Sequence, residues 1–257
     1  MFTNKFPYFK KGNILKKEML QNLRDYPRNF LKLYYDGYSE GIISGSDIFI
    51  EDDYICINSG IIKFKEAIYI MEDNYKINYS NTNKEIVIKL KCFGLEETAD
   101  FKEYKSKIFL DDNIKLAADE FELGRFKLRE GAKLRANYNN FLDFDTEYNT
   151  INIINVKYSN YDNYTLHPLI IKEFANQILK KADDSYLDLA FSMECLNSRA
   201  IDRGLMISYI SKKLEIVEEE YTNFEIYTYM KRIIKSLADS RENKRSVPKR
   251  RSKIIVD

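Results

Sequence analysis

Ser39-Glu40-Gly41-Ile42-Ile43-Ser44-Gly45-Ser46-Asp47 leads directly into Ile48-Phe49-Ile50, the acidic turn Glu51-Asp52-Asp53, Tyr54-Ile55-Cys56-Ile57, and a second glycine turn at Asn58-Ser59-Gly60-Ile61-Ile62-Lys63-Phe64. Short apolar runs separated by glycine and acidic turns predict a tight antiparallel meander. Further along, Ile86 to Phe93 and Phe121 to Leu128 alternate with period two, so each is expected to present one buried and one wet face. Asn149 to Val156 reads as a closing strand, with Ile153-Ile154 breaking its alternation.

Upstream of the meander, Ile14, Leu15, Met19, Leu20 and Leu23 fall at helical spacing, with Asn13 as the expected N-cap. Pro27 is expected to interrupt that helix, and Phe30, Leu31 and Tyr34 to open another short one. Downstream of His167-Pro168 the period changes. Leu169 to Leu179, Ser185 to Cys195, Arg199 to Ile216 and Tyr221 to Leu237 read as four helices, and Asp183-Asp184-Ser185 supplies a capping start. The predicted fold class is α+β: an N-terminal helical entry segment over 1–40, an antiparallel β-sandwich-like domain over 41–157, a helical domain over 165–240 and a basic tail over 241–257.

With 257 residues, of which 44% are hydrophobic, the chain is long enough to bury a sizeable core. Its 41 basic and 40 acidic side chains nearly cancel, which excludes a global field that would draw in nucleic acid or an anionic membrane. The charge is unevenly placed, however. Arg241, Lys244, Arg245, Lys249, Arg250, Arg251 and Lys253, against Glu242 alone, make residues 241–253 six units positive and leave the remainder of the chain five units negative. Such a tail suits phosphates or an acidic protein groove. Cys56, Cys92 and Cys195 are widely spaced in apolar runs and are expected to be buried free thiols in a reducing compartment. No apolar run approaches the ~20 residues of a membrane span, so a cytosolic chain without membrane contact is expected.

Catalytic chemistry finds little to stand on. Asp143, Asp145 and Glu147 alternate and could face one hard cation, but they lack the Gly and downstream Glu of a calcium loop, so no metal is expected. Six residues separate Gly124 from Gly131 where a phosphate loop needs four, and Ala132 precedes Lys133. Ser44 occupies the fourth place of Gly41-Ile42-Ile43-Ser44-Gly45, not the third place of a nucleophile elbow. His167 is the chain's single histidine and precedes a proline. No enzyme activity and no cofactor are expected.

The order Gly12-Asn13-Ile14-Leu15, a short helix, Asp36 to Gly45, then strands around Gly60-Ile61-Ile62 resembles the particle-attachment domain of phage tail proteins. That group includes the N-terminal shoulders of tail fibres and receptor-binding proteins and the shoulder of the type VI secretion baseplate adaptor. The whole chain is similar to proteins encoded in contractile-tail gene clusters of Gram-positive bacteria. The likeness covers residues 6–157 and departs from the fibre pattern at Lys65-Glu66, where a glycine makes the hairpin. No glycine-rich shaft follows residue 168, which favours an adaptor over a complete fibre. The resemblance implies a structural baseplate or adaptor subunit of a contractile tail or tail-like particle. Its partners would be other baseplate proteins, further copies of itself, and a tail fibre or receptor-binding protein; it would stay cytoplasmic until assembled. The expected contact residues are Phe6, Pro7, Tyr8 and Phe9. The alternative reading is a nucleic-acid-binding accessory protein working through the basic tail, with nucleic acid otherwise disfavoured as a partner.

Overall fold

The computed structural model describes residues 1–181 and 185–246. It has an α+β fold that divides into two compact units, 1–38 and 39–257.

The first unit contains α1 (Lys17–Tyr34). Lys16, not Asn13, stands at its N-cap, and the helix runs through Pro27 without the expected break. The proline removes one donor, the N–H that would reach the Leu23 carbonyl. Stacking of Phe30 on Tyr34, with ring centroids 5.7 Å apart, and of Tyr34 on Tyr38 at 6.5 Å organises the last turns.

The second unit opens with the meander. Strands β1 (Gly41–Gly45), β4 (Gly60–Phe64) and β5 (Ala67–Met71) form one antiparallel sheet in the order β1-β4-β5. Strands β2 (Ile48–Glu51), β3 (Tyr54–Ile57) and β6 (Tyr75–Asn78) form a second, in the order β2-β3-β6. The two glycines that bracket β1 are there for space. Gly41 has φ +150°, and a Cβ on it would lie 2.5 Å from the Ser159 nitrogen; Gly45 has φ +66°, and a Cβ would lie 2.0 Å from the Ser59 oxygen. At Gly41 that clearance admits residues 157–159, whose backbone pairs with Ile42 through Ile42 N to Lys157 O and Ser159 N to Ile42 O, both 2.9 Å. Lys65 takes the left-handed conformation, φ +53°, at the turn where the fibre pattern has glycine, and its N–H donates to the Glu40 carboxylate at 2.9 Å.

The third sheet, in the order β8-β7-β9, joins β7 (Glu85–Glu97), β8 (Lys102–Asp111) and β9 (Glu120–Lys127). Its expected wet face is a correction. Ile86 through Leu90 are all buried, and Lys89 is only 1% exposed. An ammonium can lie there because Asp111 (2.8 Å), Glu120 (3.0 Å) and the Lys115 carbonyl (2.7 Å) surround it. Burial pulls the Lys89 ammonium down, but those carboxylates outweigh it and hold it above the ordinary lysine value. Glu122 is buried in the same way against Arg125, which it receives through two bonds of 2.7 and 2.6 Å.

Residues 149–156 do not form the expected closing strand. They make single bridges, Asn152 to Arg125 and Thr150 to Arg135, and no ladder. Asn149 sits at φ +60°, and the Asn152 side chain accepts from Ile154 N at 2.9 Å, so local turns replace strand pairing. Ile151, Ile153, Ile154 and Val156 are all buried regardless of alternation.

Four helices follow: α2 (Pro168–Lys181), α3 (Tyr186–Asn197), α4 (Arg203–Leu214) and α5 (Asn223–Ser246). Ser185 caps α3 through Asp188 N, as its type predicts, whereas Asp183 and Asp184 lie outside the described residues. One hydrophobic cluster runs from Ile42, Ile57 and Ile88 in the strands to Phe174, Tyr209 and Tyr227 in the helices. A 3₁₀ turn, Phe141–Asp145, packs against α2 and α5 at the helical end of that cluster. Phe141 stacks on Tyr227 at 4.8 Å and meets Phe174 at 5.5 Å.

His167 belongs to this interior, not to a loop. Its Nδ1 accepts from Leu169 N at 3.1 Å at the start of α2, and its Nε2 lies 3.3 Å from the Tyr158 hydroxyl. Burial pushes the imidazole down from 6.5 to about 3. The unfolded chain therefore binds the extra proton between those values, and stability held above pH 6.5 is lost as pH falls toward 3. One such group costs about 2 kcal/mol at pH 5. Chemical denaturation between pH 6.5 and 5, above the main carboxylate range, should show this slope, and His167→Asn should flatten it. A second expectation concerns the turn: Lys65→Gly should stabilise the fold by about 0.5–1 kcal/mol, read as a higher denaturation midpoint, because glycine removes the left-handed penalty.

Candidate docking surfaces

The functional reading of the chain rests on which apolar groups its own interior leaves uncovered. In the first unit, Phe6, Tyr8 and Phe9 are exposed by 72, 67 and 57%, with Pro7 half-buried between them. Lys10 places its ammonium 5.0 Å from the centre of the Tyr8 ring. Helix α1 adds a longer surface. None of its residues is buried, and Leu20, Leu23, Tyr26, Phe30, Leu33 and Tyr34 are all exposed. Met19, Leu23, Tyr26, Phe30 and Leu33 follow one another at alternating spacings of four and three, which aligns them on one face. Lys17, Gln21, Arg24, Arg28 and Lys32 occupy the opposite side. An amphipathic helix of this kind gains its stability from a partner for the apolar stripe.

Helix α3 carries a second apolar surface. It is apolar on its outside, where Tyr186, Leu189, Met193 and Leu196 are exposed. Its inside holds Phe191 and Cys195 together with Asp188 and Ser192. The buried Asp188 carboxylate accepts from the Tyr209 hydroxyl at 2.7 Å and from Lys213 at 2.9 Å. This reversal, with a charge inward and leucines outward, was invisible to periodicity because both sides of the helix read as apolar. The signal available in sequence was Asp188 itself, an acidic residue in the middle of an apolar run.

The carboxylates considered for a cation go to separate partners. Arg135 grips Asp143 with bonds of 2.5 and 2.7 Å, and Thr146 and Asn139 N donate to the same carboxylate. The Arg135 hydrogen bonds hold the Asp143 carboxyl well below the usual carboxylate range. Asp145 is taken by Lys231 and by the Tyr227 hydroxyl, and Glu147 by Lys127 at 3.1 Å. Among the described residues no group of three acidic, histidine or cysteine side chains is placed to hold a metal. A cleft of about 360 Å³ beside this pair is lined by Phe49, Ile50, Asp52 and residues 133–137, with Arg135 already committed to Asp143. The cysteines are buried and free. Of the basic tail, Arg241, Lys244 and Arg245 fall on the last turns of α5, while Lys249, Arg250, Arg251 and Lys253 lie outside the described residues. No described helix is long and apolar enough to cross a membrane.

No protein-family model and no curated protein matches the chain. Among solved structures it is similar to TssK, known from a crystal structure, with a TM-score of 0.43 and 7% identity over 93% of this chain and 72% of that one. It is also similar to a chain of the type VI secretion system TssK-TssF-TssG baseplate subcomplex seen by cryo-electron microscopy. That match has a TM-score of 0.36 and 8% identity over 91% of this chain and all of the other. Likenesses of this size carry no functional weight.

The arrangement around Asp143 yields a prediction. Asp143→Asn, which leaves Arg135 without its carboxylate, should destabilise the fold by about 1–3 kcal/mol in denaturant titration. Millimolar magnesium or calcium should leave the melting midpoint of the unaltered protein unchanged.

Proposed function

We propose that the chain is a non-catalytic structural subunit that works by docking, and that its setting is the baseplate of a contractile phage tail or tail-like particle. The observation that carries this reading is the first unit. An amphipathic helix with no buried residue follows a segment whose three aromatics are exposed. Contiguous apolar surface of this extent marks a place for another protein. The choice of a baseplate over other assemblies comes from the motif order between Gly12 and Ile62, which resembles particle-attachment domains. In this reading α1 and Phe6 to Phe9 hold the chain to a neighbouring baseplate component. The exposed face of α3 carries contacts to further copies or to a fibre. The chain remains in the cytoplasm until it is built into the particle.

Mass spectrometry of purified particles tests the setting directly: the protein should be present in several copies, and its absence would refute the assignment. The role of α1 is tested by Leu23→Asp with Phe30→Asp. Both side chains are exposed, so the isolated protein should keep its stability within about 0.5 kcal/mol. Incorporation into particles should be lost. Normal incorporation of this variant would move the contact away from α1.

A further inference from the structure

Sheet β8-β7-β9 does not end where its third strand ends. β9 pairs with β7 only as far as Lys91, and from Phe93 to Ser106 the chain continues as a two-stranded ribbon made by β7 and β8 alone. A bulge at Phe93-Gly94 sets the ribbon off from the sheet body. The tip is closed by Thr98, whose N–H and hydroxyl both donate to the Phe101 carbonyl at 2.8 and 3.1 Å and whose hydroxyl oxygen accepts from Phe101 N. Its base is held by Tyr69, which donates to the Phe93 carbonyl at 3.1 Å and meets the Tyr104 ring at 6.1 Å. The ribbon is therefore ordered, yet every side chain from Phe101 to Lys107 is exposed. The outer edge of β8 pairs with no described strand.

The two faces of the ribbon differ. Leu95 and Tyr104 stand opposite each other on one face, and Glu96 and Glu103 on the other. Two carboxylates directly opposed in a sheet repel each other. A single ammonium serves both: Lys105 lies 2.7 Å from Glu96 and 3.0 Å from Glu103.

We infer that the outer edge of β8 is a self-association site, occupied by β8 of a second copy running antiparallel about a two-fold axis at Tyr104. In that register Glu103 faces the second copy's Lys105 and Lys105 its Glu103, so opposite charges meet at both symmetric positions. Tyr104 faces Tyr104, and the Leu95-Tyr104 stripe becomes continuous across four strands. Lys102 falls opposite Ser106, and no like charges meet along the edge. The contact is self-complementary and closed, as two-fold interfaces are.

Sedimentation equilibrium of the purified full chain should show a concentration-dependent rise from 30.5 kDa toward twice that mass. Glu103→Lys, which sets Lys against Lys at both symmetric positions, should weaken the dimer by about tenfold or more. Adding Lys105→Glu should restore it, because the two reversed charges face each other again. The register has its own readout. Tyr104→Cys should form a disulfide-linked dimer on mild oxidation, whereas Glu103→Cys should not, since two copies of residue 103 stand about 7–8 Å apart in this pairing. A chain that stays monomeric throughout, with the edge lysines keeping β8 unpaired, would overturn the proposal. So would a dimer indifferent to Glu103→Lys, or cross-linking at 103 instead of 104. All of these are measured on the isolated protein, so they stand or fall separately from the baseplate setting.

Discussion

The structure depends on a constraint set between residues 128 and 167, where the chain runs through the interior without belonging to any extended ladder. Backbone N–H and C=O groups buried there need partners, because an orphaned one costs about as much as a lost hydrogen bond. Side chains from distant elements supply them. The Tyr138 hydroxyl donates to Ile151 O at 2.7 Å, Asn223 to Val156 O at 3.1 Å, and Tyr227 to Phe141 O at 2.8 Å. Arg203, which is buried, donates to the carbonyls of Tyr164 and Tyr221 and to the Asn223 amide oxygen. Asn223 thus links the connector to Arg203 while beginning α5. Removing any one of these groups would orphan a carbonyl in the middle of the apolar cluster, so strands and helices are tied together by polar groups as well as by packing.

This constraint also decides how far the amino-acid sequence could be read. Helices α2 to α5 were legible because their apolar spacing is regular, and Ser185 marks the start of α3; the start of α4 lies at Arg203 behind its Asp202 cap, not at the expected Arg199. The meander was legible because glycine and acidic turns separate its runs. The connector was not. Its burial follows from tertiary hydrogen bonds to residues up to 86 positions away, as between Tyr227 and Phe141, and no local period records them. The alternation in β7 misled for a related reason: a lysine every second residue reads as a wet face unless one knows that Asp111 and Glu120 will meet Lys89 inside. Pro27 misled in the opposite sense. Its ring predicts a helix break, yet a single missing donor on a helix with no buried residue leaves one carbonyl that water can satisfy. Of the candidate surfaces, the aromatic entry segment was legible as a cluster of Phe and Tyr around a proline, whereas the outer face of α3 needed the structure.

That outer face says what kind of pressure shaped the molecule. A helix optimised only for the stability of an isolated chain places its apolar residues inward and its charges outward. In α3 the order is mixed. Asp188 is buried at a desolvation cost that only its bonds to Tyr209 and Lys213 offset, while Tyr186, Leu189, Met193 and Leu196 remain in water. Asp188 is held inside by Tyr209 and Lys213, but no such bond holds Tyr186, Leu189, Met193 and Leu196 outward, so intramolecular stability does not account for their exposure. The same reasoning applies to α1, whose apolar stripe contributes nothing to burial within its own unit. Apolar surface held outward on two helices fits the proposed role of a part whose remaining stabilisation comes from its neighbours.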